Sequence, residues 1–313
     1  MTGAGIMLVA LAIDAGLGWP RRLFTLVGHP VTWIGALVTL LDNWLNLPET
    51  DPRDRKMAGA VAALTTIAVV AVLAAALQWL VPGGWRGLLW AGLLAWPLVA
   101  ARSLHDHVRA VALPLEAGDL AGARAAVAEI VGRDPDRLDQ AGIARAALES
   151  LAESASDGVV APLFWGAIFG LPGIAAYKAI NTLDSMIGHK TDKYQAFGWA
   201  AARVDDLANL IPARLTGFLF AALSPARRAA FAIMLRDARH HRSPNAGWPE
   251  AAMAAALGVR LSGPRAYADR VTDEPWINGA APDPAPADIR RGLGLYRTAL
   301  AALAALLAVA ALI

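Results

Sequence analysis

The chain has 313 residues, of which 57% are apolar and 17% charged, with a mean hydropathy of +0.44. That is too oily for a soluble domain of this length and places the protein in a lipid bilayer. A formal charge of +2, with arginines interspersed among acids, leaves no basic stripe for nucleic acid, and the absence of cysteine excludes disulfides and thiolate metal sites.

Residues 1–13 are apolar without a basic leader and read as a retained anchor or half-span. Gly28-His29-Pro30 follows as a turn. Residues 57–81 are apolar over 25 positions apart from Thr65, Thr66 and Gln78, enough to cross a hydrocarbon core of about 30 Å. After Pro82-Gly83-Gly84, residues 85–101 supply a shorter span, and the two are expected to form a hairpin. Arg53, Arg55 and Lys56 before it and Arg102 and Arg109 after it assign both outer ends to the cytoplasm. Residues 103–156 turn polar and helical, with helices expected at 120–131 and 141–155. Asp134 is the expected N-cap of the second and Pro135 lies in its first turn.

Residues 158–180 are apolar again but interrupted by Gly170-Leu171-Pro172-Gly173. A kinked span and a re-entrant helical pair both fit. The re-entrant form is favoured, because broken helices at membrane depth persist where protein satisfies the backbone. Residues 207–223 hold Asn209, Pro212 and Arg214 and are expected inside the bundle, since a mid-helix Arg costs about 2.5–3.5 kcal/mol on insertion scales. A second polar region, with a helix at 250–257, precedes a final anchor at 296–313. The fold class is therefore all-α: a polytopic membrane helical bundle, one membrane-embedded domain over 1–313 with a cytosolic helical insertion at 102–157 and a cytosolic polar region at 224–295.

Glu149, Glu153 and Asp157 recur at i, i+4 and i+8, one face of an α-helix, where like charges repel by about 0.2–0.5 kcal/mol per pair. A solvated face is the plain reading of such a triplet. Here apolar sequence begins at the next residue, and oxygen ligands at a membrane boundary suit Mg²⁺, so a metal or cationic ligand is the preferred partner. The run from Asn181 to Tyr194 is dense in groups that bind phosphate, amide and metal: Asn181, Asp184, His189, Lys190 and Lys193. It holds two of the chain's four lysines. Asp205-Asp206 suits helix capping or pairing with Arg203 as well as ligand binding. His240-His241 lacks a third ligand at zinc spacing, and no GxxxxGK[ST] loop is present to hold a nucleotide.

With these residues in view, the chain resembles the adenosylcobinamide-phosphate synthase family, integral membrane proteins of cobalamin biosynthesis. The resemblance runs through His29-Pro30-Val31 with Trp33-Ile34-Gly35, Val131 to Asp134, and Glu149 through Glu153 to Asp157-Gly158. It continues through Tyr177 to Ala179, Asn181 to Met186, Asp205-Asp206 with Pro212 to Leu215, Ser243-Pro244-Asn245 with Glu250, and Ala255 to Gly258. The family usually shows Gly-Asp-Pro where this chain has Gly18-Trp19-Pro20, and often Tyr where His189 stands. The resemblance implies amide-bond formation between a carboxylate of adenosylcobyric acid and (R)-1-amino-2-propanol or its O-phosphate, driven by ATP, at the cytoplasmic face of the inner cell membrane.

On that reading Glu153, Asp157 and Asp184 hold Mg²⁺, Lys190 and Lys193 contact phosphate, and Glu149 or His189 deprotonates the amine. Asn181 and Asp205 join the substrate site, and the corrin lies against His29, Ser243, Asn245 and Glu250. Other corrinoid-pathway enzymes are further expected partners. An ion-coupled transporter and a non-catalytic membrane scaffold are the competing classes; the few spans and missing repeat halves weigh against the first.

Overall fold

A computed structural model describes residues 2–132, 134–266, 271–272 and 274–313. Arg133, within the Val131 to Asp134 motif, and Met1 of the expected anchor lie outside the described residues. Fifteen α-helices account for most of the described chain. Two antiparallel ladders of two-residue strands add β1 (Leu261–Ser262) with β4 (Trp276–Ile277) and β2 (Arg265–Ala266) with β3 (Val271–Thr272). The all-α membrane bundle is thus what forms, with a small ribbon in the second polar region that the sequence did not announce.

Among the described residues, four helical stretches are long and apolar enough to cross a membrane: Arg22–Leu45, Pro52–Leu80, Gly84–Glu116 and Pro286–Leu312. A fifth results if Trp199–Ala208 and Leu210–Leu223 cross as one broken span. The protein is multi-pass. Trp33, Trp44, Trp79, Trp85 and Trp90 are all exposed, as amphipathic rings at a membrane interface would be.

The chain divides into two compact units. One comprises residues 1–100, 161–209 and 304–313, the other residues 101–160 and 210–303.

The first unit contains α1 (Gly3–Leu17), α2 (Arg21–Val27), α3 (Pro30–Leu45), α4 (Pro52–Leu80) and α5 (Gly84–Ala95). It also holds α9 (Ala161–Phe169), α10 (Leu171–Ile187) and α11 (Trp199–Ala208). Asp51 starts α4 by accepting from the Arg53 amide at 2.8 Å, with Pro52 in the first helical position where a missing N–H costs nothing. At 29 residues α4 is about 43 Å long. α10 is the centre of this unit, packed on α4, α9, α3 and α11. Ile34, Val38, Ala62, Ala63, Ala179, Leu183, Ile187 and Phe197 make its core.

The expected α4–α5 hairpin turn is present, but the two helices find different partners: α4 lies along α10 and α3, and α5 along α1. The anchor expected at the N-terminus is α1, shorter than a full span. The break at Gly170 is real: its φ of +69° ends α9 and turns the chain so that α10 packs back on α9. Gln78, the odd polar residue of the α4 span, explains how the break is tolerated. Its Oε1 accepts from the Leu171 amide at 2.7 Å, supplying the cap that α10 lacks locally.

The second unit contains α6 (Ala101–Glu116), α7 (Leu120–Ala128), α8 (Gln140–Ala155), α12 (Leu210–Leu223), α13 (Arg227–Asp237), α14 (Gly247–Leu257) and most of α15 (Pro286–Leu312). Alanine-rich α14 is buried nearly all round, against α12, α13 and α8, and ends at Gly258 in the left-handed region. As expected, α12 packs within helices, and the Arg214 guanidinium lies 4.6 Å from the Trp248 ring. The start of α8 is corrected. Asp134 caps only a short 3₁₀ turn, Pro135–Arg137, whereas the α-helix begins at Gln140 with Asp139 accepting from the Gly142 amide at 2.7 Å.

Candidate functional site

The acidic stripe is divided by its surroundings. Glu149 is buried on α8 and accepts from the Ser262 amide at 2.8 Å, fastening β1 to the helix. One turn earlier, Arg145 donates to Asp283 at 2.6 Å and lies 4.7 Å from the Trp276 ring. Arg260 grips the same carboxylate with both arms, at 2.9 and 2.6 Å. These two guanidiniums, Arg260 first, hold the Asp283 carboxyl below the usual range. The upper part of the stripe therefore fastens the ribbon to α8. Replacing Glu149 by Ala is expected to cost about 1–3 kcal/mol, because a buried amide loses its acceptor. Glu149→Gln keeps an acceptor oxygen and should retain most of the thermal midpoint and activity, as paired melting and turnover measurements would show.

Below Glu149, Glu153 is exposed and Asp157 half-buried. Asp157 does not continue the α-helical face, because Ser156–Val160 is a π turn whose wider winding breaks the i+4 register. Asp184 stands on α10 in the other unit. Among the described residues no three His, Asp or Glu side chains gather to hold a metal ion.

In the first unit, Asp184 occupies the last turn of α10, three residues after half-buried Asn181. Burial pushes its carboxyl above the ordinary carboxylate range; His189 opposes that shift and Asp206 reinforces it. Gly188 closes the helix, and a side chain there would overlap the Asp184 carboxylate. His189 and Lys190 follow, both exposed. Asp206 pairs with Arg203 at 3.1 Å, as one sequence alternative had it, and capping is excluded because α11 starts earlier, at Trp199. Asp205 accepts from Asn209 at 2.9 Å, and Asn209 accepts from the Tyr177 hydroxyl at 2.8 Å, an interior polar chain beside Asp206.

Lys193 is committed elsewhere. Its ammonium donates to Asp42 at 2.7 Å; Tyr194 donates to the same oxygen at 3.1 Å and Asn46 to the other at 2.8 Å. Arg55 ties Asn46 and the Lys193 carbonyl to α4. The Asp42 carboxylate, then Tyr194, holds the Lys193 ammonium above its ordinary range. Lys193 is thus the clamp that fixes the 188–198 turns to α3. The signal for this was Asp42, a lone carboxylate in an apolar helix, which sequence reading passed over. Lys193→Ala is expected to cost about 1 kcal/mol, discounted for the exposed ammonium. Lys190→Ala, at an exposed side chain, should leave the melting midpoint unchanged, a contrast that calorimetry on the two variants would reveal.

The expected corrin contacts fall in different units. His29 is the N-cap of α3, its Nδ1 accepting from the Val31 amide at 3.2 Å and Thr32 closing a capping box. In the second unit, Ser243 serves its own turn, its hydroxyl accepting from the Asn245 and Ala246 amides at 3.2 Å. Asn245 and Glu250 are buried there, with His241 Nε2 3.6 Å from Glu250. Asp237, which the sequence reading missed, is buried and accepts from Arg236 and from the Asn278 amide.

The family described as CobD/Cbib protein matches residues 7–296. The chain is 65% identical over 301 residues to the "Cobalamin biosynthesis protein CobD" of Rhodobacter capsulatus, covering 96% of this chain and 95% of that one. It is 48% identical over 299 residues to the protein of the same description from a Sinorhizobium species, covering 93% of each. A Brucella suis relative of that description is 43% identical over 316 residues, covering 98% of this chain and 97% of its own. No solved structure matches the chain. With nearly its whole length aligned to these relatives, the chain belongs to the CobD/Cbib family.

Proposed function

We propose that this protein acts in cobalamin biosynthesis as an acid–amine ligase at the inner membrane, joining (R)-1-amino-2-propanol or its O-phosphate to a carboxylate of adenosylcobyric acid. The alignment of the whole chain with cobalamin-biosynthesis proteins supports the pathway. The observation that carries the chemistry is Asp184, a carboxylate raised by burial at the end of α10, with His189 and Lys190 in the turns that follow.

A carboxylate resists attack by an amine until it is activated. Its oxygen attacks the γ-phosphorus of ATP, ADP leaves, and an acyl phosphate forms. The amine nitrogen then attacks the acyl carbon, and phosphate leaves. The amine arrives as an ammonium and must lose a proton first. Asp184, poised above the ordinary carboxylate range, takes that proton, and His189 tunes it. Lys190 gives a point charge to the phosphate. Magnesium enters with the nucleotide as part of the substrate, bound to its phosphate oxygens. Asn181 orients the amine.

Purified protein supplied with adenosylcobyric acid, aminopropanol phosphate, Mg²⁺ and ATP is expected to release the amide product, and to stop when ATP is omitted. Product formation without nucleotide would overturn the activation step, and no product under full conditions would overturn the ligase reading.

A further inference from the structure

The positive charge of the chain is concentrated on one segment of the second unit. From Arg227 to Arg242 five arginines stand against one aspartate, a net +4 with histidine neutral, whereas the whole chain sums to +2. Apolar residues separate these arginines in sequence, so they make no basic run until α13 folds. Elsewhere in the unit Arg102, Arg137, Arg290 and Arg291 each pair with a carboxylate. On α13 and the turn after it, Arg227, Arg228 and Arg239 are exposed and have no carboxylate partner among the described residues. Arg227 and Arg228 occupy the first turn of the helix, where a cation opposes the dipole. They weaken the helix that carries them, so their charge answers to something outside it.

The helix presents that charge on one side. Ala230, Met234 and Asp237 are buried, on the face that packs against α14 and α12. Arg228, Ala232, Leu235 and Arg236, at i, i+4, i+7 and i+8, share the opposite face and are exposed. The 3₁₀ turn Ala238–His240 adds Arg239 and His240 at the far end, both exposed. This outer face is not simply polar. Leu235 is 52% exposed, and beside it Phe231 meets Phe218 of α12 with ring centroids 5.3 Å apart. Phe218 and Ile211, seven residues before it, are themselves more than half exposed, so an apolar stripe runs along α12 and on to α13.

In a chain that sits in a bilayer, such a stripe meets acyl chains, and arginines at its edge stand at headgroup level. Their stems cover hydrocarbon while the guanidinium forks take phosphate oxygens. A solvated face has no use for the leucine and the phenylalanines, and a nucleic acid has no use for the stripe. We propose that the outer face of α13, through Arg227, Arg228, Leu235 and Arg239, lies on the membrane surface and binds the phosphates of anionic phospholipids. The occupant is the bilayer around the protein. This is a claim about lipid binding and stands apart from the amide-forming reading.

The chain has no cysteine, so Leu235→Cys takes a nitroxide label without background. In nanodiscs of mixed phosphatidylglycerol and phosphatidylcholine, that label should collide more with lipid-soluble oxygen than with a water-soluble nickel chelate. A label at Glu129→Cys, exposed at the end of α7 in the same unit, should show the reverse. A second measurement titrates full-length protein in neutral detergent with each lipid and reads binding by native mass spectrometry. Removing Arg228 and Arg239 together, as Arg228→Gln with Arg239→Gln, should weaken phosphatidylglycerol binding about 25-fold, about five-fold for each charge, and leave phosphatidylcholine unaffected. Added salt should weaken the wild type in the same direction. Arg137→Gln, at an exposed arginine paired with Asp134, is the control and should change nothing. Equal phosphatidylglycerol affinity in the double variant and the wild type, or no preference for that lipid over phosphatidylcholine, would overturn the proposal. So would a Leu235 label as open to the nickel chelate as the Glu129 label, which would assign the face to solvent or to a soluble acidic partner.

Discussion

Asp184→Asn is expected to lose product formation by about 10²-fold or more, the scale of removing a general base, while melting at or above the wild-type temperature. The combination follows from the direction of the Asp184 shift. Burial, the leading cause, raises the folded carboxyl above its unfolded value. A raised carboxylate binds its proton more tightly in the folded state, so the folded state gains as pH falls through the folded value and is penalised above it, where the buried group is charged. Asparagine removes that penalty together with the base. The same direction sets the pH profile: the acid limb of kcat/KM should lie above the ordinary aspartate range and disappear from the residual activity of the variant. A variant that keeps near-wild-type turnover would remove Asp184 from the mechanism. One that loses activity together with a large drop in melting temperature would show a structural role instead.

Gly59→Leu is expected to disrupt the first unit. A side chain on Gly59 would overlap the carbonyl of Phe197, and one on Gly198 would overlap that of Ile187. These are backbone atoms, which cannot swing aside. Small residues let helices in membranes approach to this distance, so α4 meets the 188–198 turns across Gly59 with no room for a Cβ. Overpacking of this kind costs about 1–3 kcal/mol or more. The melting midpoint in detergent should fall by several degrees. Val61→Leu, two positions along at a site 55% exposed, is the control and should melt as the wild type does. Since the same contact shapes the segment after Asp184, activity should fall with stability in the Gly59 variant.

What was legible in the chain was whatever depends on local composition. The apolar run at 57–81 announced α4, although the helix starts five residues earlier, because Asp51 and Pro52 begin it in the polar layer where hydropathy carries no signal. The break at Gly170 was legible from Gly-Leu-Pro-Gly. The stretch Arg22–Leu45 was overlooked as a candidate span: Gly28-His29-Pro30 interrupts its hydropathy, and Asp42 and Asn46 dilute its end. Partnerships across distance in the chain were not legible at all. Glu149 looked like a ligand because its partner, the Ser262 amide, is 113 residues away. Lys193 looked like a phosphate contact because Asp42 is 151 residues away. Helical periodicity placed Asp157 under Glu153, and the π turn undid that, since the i+4 rule presumes an α-helix throughout. The surroundings of Asp184, by contrast, are local: the end of its own helix and the turn after it.

The hydrogen bond from Leu171 to Gln78 has a consequence for where the Asp184 carboxylate stands. Asp184 lies thirteen residues along α10 from that bond, about 20 Å on a straight helix. One end of α10 is pinned to a residue near the end of a membrane-crossing helix, and the other carries the Asp184 carboxylate. α10 therefore works as a ruler: it fixes how far from that pinned level the carboxylate stands, independently of how the loops at the surface are dressed.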